Sequence, residues 1–121
     1  MLDSVNYNRK ITYENNWDKP ADIVVEWNAG GSGGYELKSV LIGQKVSGAN
    51  QSGSLSLSND KMNFTIYLYD LNSPTDDDGF KIKYYALKLK NYIIDLDSKD
   101  NNIYFKVTIN IDGEILIEEY N

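Results

Sequence analysis

The stretch IYFKVTINIDGEILI, residues 103–117, decides the fold class. Apolar side chains occupy every second position from residue 103 to residue 111 and again at residues 115 and 117, which is the period of a half-buried β-strand. The pair Asp112-Gly113 lies between the two runs and is typical of a two-residue hairpin turn. The sequence therefore predicts a terminal β-hairpin with one buried face. The residues expected in the core are Phe105, Val107, Ile109, Ile115 and Ile117.

The period of two recurs upstream, in short runs separated by Gly, Asn, Asp and Ser. A hairpin is expected across Asn59-Asp60-Lys61, and a bulge near Tyr84-Tyr85, where the alternation changes side. A break or bulge is expected at Gly43. Helix is the competing interpretation of residues 83–90, although adjacent tyrosines favour a strand. The predicted strands before the terminal hairpin are 5–14, 21–27, 35–46, 53–58, 64–69, 80–90 and 92–96.

This pattern predicts an all-β protein, namely a single-domain antiparallel β-sandwich, or a barrel-like relative, of about eight or nine strands. The chain has 121 residues, of which 41% are hydrophobic. A chain of this length buries roughly two-thirds of the surface that its unfolded form exposes, so it needs no disulfide or metal to hold a core. We expect one domain over residues 1–121.

Composition excludes several function classes. The chain has no His and no Cys, which removes Ser-His and Cys-His nucleophilic systems and the soft ligands of zinc, copper and iron. Carboxylates are numerous enough for glycoside hydrolysis, but no pair stands out. A net charge of -6 and a single arginine, Arg9, argue against a nucleic-acid partner. We therefore expect no enzymatic activity, no cofactor and no nucleic-acid binding.

Membrane-spanning and exported segments are not expected either. No apolar run approaches the roughly 20 residues that span a bilayer. The first ten residues, MLDSVNYNRK, lack the basic-then-apolar layout of a secretory leader. The chain as written is expected to be soluble, and its composition does not fix its compartment, because domains without Cys occur both inside and outside cells.

Two loops are compositionally unusual. The glycine-rich segment 28–34 lacks the helix start and the Lys of a phosphate-binding loop, which leaves a hairpin loop or a ligand-closing flap. The acidic segment 70–79 lacks the ligand order of an EF-hand, and Pro74 interrupts it. We expect segment 70–79 to be a solvated loop without a structural metal, and we expect the same of Asp95, Asp97 and Asp100.

Aromatic residues are abundant, with ten Tyr, two Trp and three Phe. Some of them adjoin loops, where amphipathic rings suit a sugar face, a lipid headgroup or a protein partner. The alternative is that these tyrosines serve strand propensity and cross-strand pairing on an outward face. The candidate ligand contacts are Trp17, Trp27, Tyr35, Tyr67 and Tyr69.

Two consecutive stretches, IGQKVSGANQSGSLSLSND (residues 42–60) and FTIYLYDLNSP (residues 64–74), resemble the middle of the aegerolysin family. The matching features are a strand that leads into a polar Gly/Ser loop, a small-residue strand with a spaced Gly pair, and an aromatic strand that ends in an Asp-x-Pro-like turn. The residues concerned are Gly43, Gly48, Gly53, Leu55, Tyr67, Asp70 and Pro74. The resemblance implies a β-sandwich that recognises membrane lipids, in some members as the docking half of a two-component pore-forming toxin.

The functional expectation is a non-enzymatic binding module that recognises membrane lipid headgroups or glycans through aromatic residues at its loops. The alternative is an acidic protein-interaction domain, such as an immunity protein, an inhibitor or an accessory subunit. The net negative charge favours the protein-interaction domain because it speeds encounter with a basic partner protein.

Overall fold

A computed structural model describes residues 4–29, 32–56 and 61–120. It contains eight strands, which confirms the predicted all-β sandwich. A short 3-10 turn at Lys83–Tyr85 precedes the sixth strand. The strands are β1 (Ser4–Asn15), β2 (Ala21–Ala29), β3 (Ser32–Val40), β4 (Lys45–Ser56), β5 (Lys61–Asp70), β6 (Lys88–Asp95), β7 (Asp100–Ile109) and β8 (Ile115–Glu119).

The strands form two four-stranded sheets. The first sheet has the order β4-β1-β7-β8 and the second has the order β3-β2-β5-β6. All pairs are antiparallel except β1 and β7, which run parallel, with Asn6 opposite Asp100 and Asn15 opposite Ile109. Alternation along a strand carries no information about the direction of its partner, so this parallel pair could not be predicted from the sequence.

The core lies between the two sheets and is built from alternate residues of facing strands. Phe105 of β7 is its central aromatic, with its ring centroid 5.0 Å from Phe64 and 5.3 Å from Tyr92, both in edge-to-face geometry. Four of the five residues predicted to be buried are buried, and Ile117 is half-buried against the same cluster. Alternation therefore predicted the inner face of the terminal hairpin correctly.

The turn between β7 and β8 differs from the predicted two-residue turn. Strand pairing ends at Ile109 and Ile115, and Gly113 lies in the left-handed region with φ 78°. Its N–H donates to Asn110 O at 2.9 Å, which is the geometry of a three-residue loop with a glycine bulge. The Asn110 carboxamide oxygen also accepts from the N–H groups of Asp112 and Glu114. Asn110 therefore stabilises the longer loop by satisfying two backbone donors.

The hairpin predicted between residues 53–58 and 64–69 is wrong. β4 pairs with β1 in the first sheet, whereas β5 pairs with β2 and β6 in the second. Asn59 and Asp60, the expected turn, lie outside the described residues, as do residues 57 and 58. The loop implied between the strands predicted at 35–46 and 53–58 is also wrong, because Lys45–Ser56 is one continuous strand.

Residues 35–46 are not a single strand. They contain the end of β3 and the start of β4, and the chain changes sheets at the expected break, where Gly43 has φ 74°. Glycine adopts the left-handed conformation at little energetic cost, which allows the chain to reverse direction tightly at this position.

The strand predicted over residues 80–90 is also wrong in its first part. The chain makes a single bridge between Thr75 and Lys81, then the 3-10 turn, and β6 begins only at Lys88. β6 then continues to Asp95, so the separate strand predicted at 92–96 is its second half. The competing helix interpretation holds only for the three residues of the 3-10 turn. Residues 71–87 form a loop that lies on the second sheet, with one side against the sheet and the other in water. Such a loop alternates between apolar and polar residues as a strand does, so alternation predicted a strand here incorrectly.

The glycine-rich segment joins β2 to β3 as an antiparallel pair, with Trp27 opposite Gly34. Gly30 and Gly31 lie outside the described residues. Within the described part of the chain, the one helical segment is the three-residue turn, so no helix there is long enough to cross a bilayer.

Candidate functional site

The outer face of the second sheet carries a small apolar cluster of its own. Val24, Tyr67 and Tyr69 are buried there, although their side chains point away from the main core. Tyr35 and Leu37 of β3 pack against them, because the strand register places these residues beside Val24. A sheet face that faced water would not bury three such side chains, so a further part of the chain must cover it.

The covering element is the loop of residues 71–87, and a buried ion pair fastens it to the sheet. Lys81 Nζ lies 2.8 Å from Asp22 Oδ2, and the two side chains are only 5% and 3% exposed. Asp22 also accepts from the Ser39 hydroxyl and from the Asn72 N–H. Lys81 Nζ donates in addition to Ser73 O. The loop is therefore tied to β2 both near its start and in its middle.

Between this loop and the sheet lies a cavity of about 750 Å³. Tyr35 and Phe80 meet at its wall with ring centroids 4.8 Å apart in edge-to-face geometry. The Tyr35 hydroxyl accepts from the Lys81 N–H at 3.0 Å, which links the wall to the ion pair. We call this cavity the outer pocket. Its lining includes Val24, Glu26, Tyr35, Tyr69, Phe80 and Lys83.

The outer pocket combines aromatic walls with one ion pair. Lys83 Nζ lies 3.2 Å from Glu26 Oε1, and the lysine side chain is 64% exposed. The hydrogen bond to Glu26 raises the pKa of Lys83. Lys83 Nζ also lies 5.7 Å from the centre of the Tyr67 ring, within cation–π range. A ligand at this site would meet a carboxylate and an ammonium side by side.

The tyrosine hydroxyls at this site stay protonated at neutral pH. Burial raises the pKa of Tyr69 to about 12. Burial also raises the pKa of Tyr35, and for Tyr67 the hydrogen bond with Glu26 adds to the effect of burial. A phenol in this state can both donate and accept a hydrogen bond.

Three of the five residues proposed from the sequence come together here. Tyr35 and Tyr69 line the outer pocket, and Tyr67 packs beside Tyr69 with ring centroids 6.2 Å apart. The sequence missed Glu26, Phe80 and Lys83. A signal for a covered second face was present nevertheless, because Val24 lies out of phase with Ile23 and Val25 yet is equally apolar.

Trp27 lies on the inner face of the second sheet. The Arg9 guanidinium carbon is 3.6 Å from the centre of its ring, and Phe64 packs beside it. Arg9 is buried and donates to Gln51 Oε1 at 2.6 Å. Burial lowers the pKa of Arg9, and the carboxylate of Glu36 opposes that shift. Trp27 is therefore partly buried and packs against the main core, because it continues the inward phase of β2.

Trp17 lies in the turn between β1 and β2, away from the outer pocket. Its indole packs against Gly113 of the β7–β8 turn, where a Cβ atom would come within 2.9 Å of the ring. Lys19 Nζ lies 5.0 Å from the ring centre. Trp17 thus joins two turns at one end of the sandwich.

The acidic loop has a defined turn structure. Asp76 Oδ1 accepts from the N–H groups of Asp78 and Phe80 at 2.9 and 3.0 Å. Across residues 4–29, 32–56 and 61–120, no three carboxylates converge in a way that could hold a metal ion. Asp76 therefore orders the turn that presents Phe80 to the outer pocket.

No protein-family model matches this chain, and no curated protein matches its sequence.

Proposed function

We propose that this protein is a non-enzymatic binding module and that its ligand binds in the outer pocket. The observation that carries the proposal is a cavity of about 750 Å³ between a sheet and a tethered loop, with aromatic walls and an exposed ion pair. Concave sites of this size with apolar walls and a few placed polar groups are the usual form of a small-ligand site. Tyr35, Phe80 and Tyr69 supply the walls, and Glu26 with Lys83 supplies the polar groups.

The ligand class follows from this lining. Tyr35 and Phe80 offer apolar ring surface, and the Glu26–Lys83 pair offers both an acceptor and a donor. A ligand with an apolar face and a polar edge complements them, which is the chemistry of a sugar ring or of a lipid headgroup. The net charge of -6 disfavours anionic lipid, so a headgroup ligand would be neutral overall. The resemblance to the aegerolysin family supports the lipid version.

The test is co-sedimentation with liposomes of varied headgroup, run alongside a glycan array. Tyr35→Ala and Phe80→Ala should each weaken binding at least tenfold, because each removes a wall of the outer pocket. Tyr84→Ala is the matched control, since Tyr84 is an 88% exposed aromatic on the same loop that does not line the pocket. Failure of the protein to bind in both assays would refute the proposal. An equal loss of binding in all three variants would show that the outer pocket is not the binding site.

A second candidate is an acidic protein-interaction domain. The observation in its favour is the run Asp76-Asp77-Asp78, which is fully on the surface beside the outer pocket. Such a surface would speed encounter with a basic protein and make binding strongly salt-dependent. A pull-down at low salt with the wild type and with a variant carrying Asn at all three positions tests it. A partner retained equally by both forms would contradict this candidate.

A further inference from the structure

The outer face of the first sheet carries a polar groove that is separate from the outer pocket. Its volume is about 500 Å³, and it runs across β4, β1 and β7. The side chains on its surface are Asn6 and Asn8 of β1, Ser52 and Ser54 of β4, and Asp100 and Asn102 of β7. We propose that this groove is a second binding site and that its ligand is a neutral carbohydrate.

Hydrogen bonds fix these side chains in two rows across the strands. In the first row the Ser54 hydroxyl donates to Asn6 Oδ1 at 2.6 Å, and Asn6 Nδ2 donates to Asp100 Oδ1 at 2.9 Å. The strand register produces this row, because Asn6 lies opposite Ser54 on one side and opposite Asp100 on the other. Three side chains are thereby held in place before any ligand arrives.

The second row lies two residues further along β1. The Ser52 hydroxyl donates to Asn8 Oδ1 at 3.2 Å, and Asn8 Nδ2 donates to the Tyr104 hydroxyl at 2.7 Å. The two rows are about 6–7 Å apart, which is the repeat of one face of a strand. The groove therefore presents polar groups at a regular spacing in two directions.

Each fixed group keeps unused capacity toward the solvent. A side-chain amide has two N–H donors, and in each Asn one of them is engaged within the row. Asp100 retains its second oxygen, and the serine hydroxyls can still accept. Sugar hydroxyls both donate and accept, so they match an alternation of amides, hydroxyls and a carboxylate. A phosphate would find no cation among these side chains.

An aromatic face borders the second row. The rings of Tyr104 and Tyr120 stack with centroids 6.0 Å apart and planes 28° apart. Sugar rings have an apolar C–H face as well as a polar edge, and an aromatic ring next to fixed amides meets both. The combination again favours a saccharide over a purely polar ligand.

Strand stability alone does not account for these residue types. Asn and Asp are depleted in strands, where Thr, Val and Tyr are preferred. Here Asn6, Asn8, Asp100 and Asn102 stand on the outward face of two central strands, where β-branched residues would stabilise the sheet better. A ligand-binding role explains why the weaker strand formers are present.

The experiment is a glycan array, followed by calorimetric titration of the saccharide that binds best. The double variant Asn6→Thr/Asn8→Thr should weaken binding at least tenfold without lowering the melting temperature, because Thr suits a strand. Thr12→Ala is the control, since Thr12 lies further along the same face of β1 and outside the groove. If the Asn double variant does not fold, Ser52→Ala/Ser54→Ala takes its place with the same expected loss. Chemical shifts of the Asn6 and Asn8 side-chain amides should move on titration.

The two proposed sites are separated by the same assay. Tyr35→Ala and Phe80→Ala should leave unchanged the binding of any saccharide that Asn6→Thr/Asn8→Thr weakens, because Tyr35 lies on β3 of the other sheet and Phe80 lies on the loop that covers that sheet. Saccharide binding that these variants abolish and the Asn variants spare would overturn the groove proposal and support the outer pocket. The absence of any bound glycan on the array would also overturn the groove proposal, and it would leave liposome binding at the outer pocket as a separate question.

Discussion

Asp22 and Lys81 join the loop that covers the outer pocket to the sheet beneath it. They form a buried ion pair that ties the covering loop to β2. Asp22→Ala leaves the Lys81 ammonium buried without its carboxylate, and we expect a loss of about 3–5 kcal/mol in the free energy of unfolding. The double variant Asp22→Asn/Lys81→Met removes both charges and should cost clearly less. Urea unfolding of the three proteins measures the difference. Equal losses in the single and double variants would show that the pair is not the tether.

Tyr69 makes stability sensitive to alkaline pH. Its pKa is about 12 in the folded protein against about 10 in an unfolded chain, so the native state holds the proton more tightly. The stabilisation is fully present below pH 10 and is lost as the pH rises toward 12. Tyr69→Phe has no such proton and should lose less stability over this window. Thermal melts of the wild type and the variant from pH 9 to 12 measure this difference in stability, and phenolate absorbance is the second readout. An identical decline in the variant would contradict the assignment to Tyr69.

At the scale of the strand, most positions could be predicted from the sequence and most partners could not. Period-two alternation depends only on which side chains are buried, so it located β1, β2, β5, β7 and β8 but misplaced the bounds of β3, β4 and β6. Pairing depends on contacts between distant residues, as for β1 with β7, and alternation does not encode these. The same division applies to the outer pocket. Tyr35 lies on β3, and Tyr67 and Tyr69 lie on β5; these two strands flank β2, and all three side chains point outward. Phe80 and Lys83 instead lie on a loop whose position depends on tertiary contacts.

The pairing of β2 with β3 depends on a residue without a side chain. A Cβ atom on Gly34 would lie 2.1 Å from Cζ2 of the Trp27 indole on the neighbouring strand. Gly34→Ala should therefore displace the indole and lower the free energy of unfolding by about 1–3 kcal/mol. Tryptophan fluorescence during thermal unfolding reports both effects. Gly43→Asn is the control, because that position has φ 74° and open space, and Asn tolerates the left-handed region. Comparable losses in both variants would contradict the steric explanation.

At the scale of the whole molecule, we expect the surface carboxylates to be solvated and to affect the rate of encounter with other molecules. We do not expect them to bind a metal ion. Asp76, Asp77 and Asp78 are exposed, and Asp76 already accepts two backbone N–H groups. We therefore expect millimolar calcium to leave the melting temperature unchanged within about one degree, because a ligand stabilises only the state that it binds. Differential scanning calorimetry with calcium, and again after chelation, checks this. A chelator-sensitive rise of several degrees would show that the loop binds calcium.

The parallel contact between β1 and β7 has a consequence for how the protein is made. Translation supplies β4 early, but β7 begins to leave the ribosome only after the 43 residues 57–99 have followed β4, which takes about 2–9 s at ordinary synthesis rates. Throughout this interval one edge of β1 has no partner, and an open strand edge is a template for pairing with other chains. The nascent chain is thus exposed to co-translational aggregation before its fold can close. Recovery of native protein in a cell should consequently depend on chaperone supply and on the speed of translation through β5 and β6.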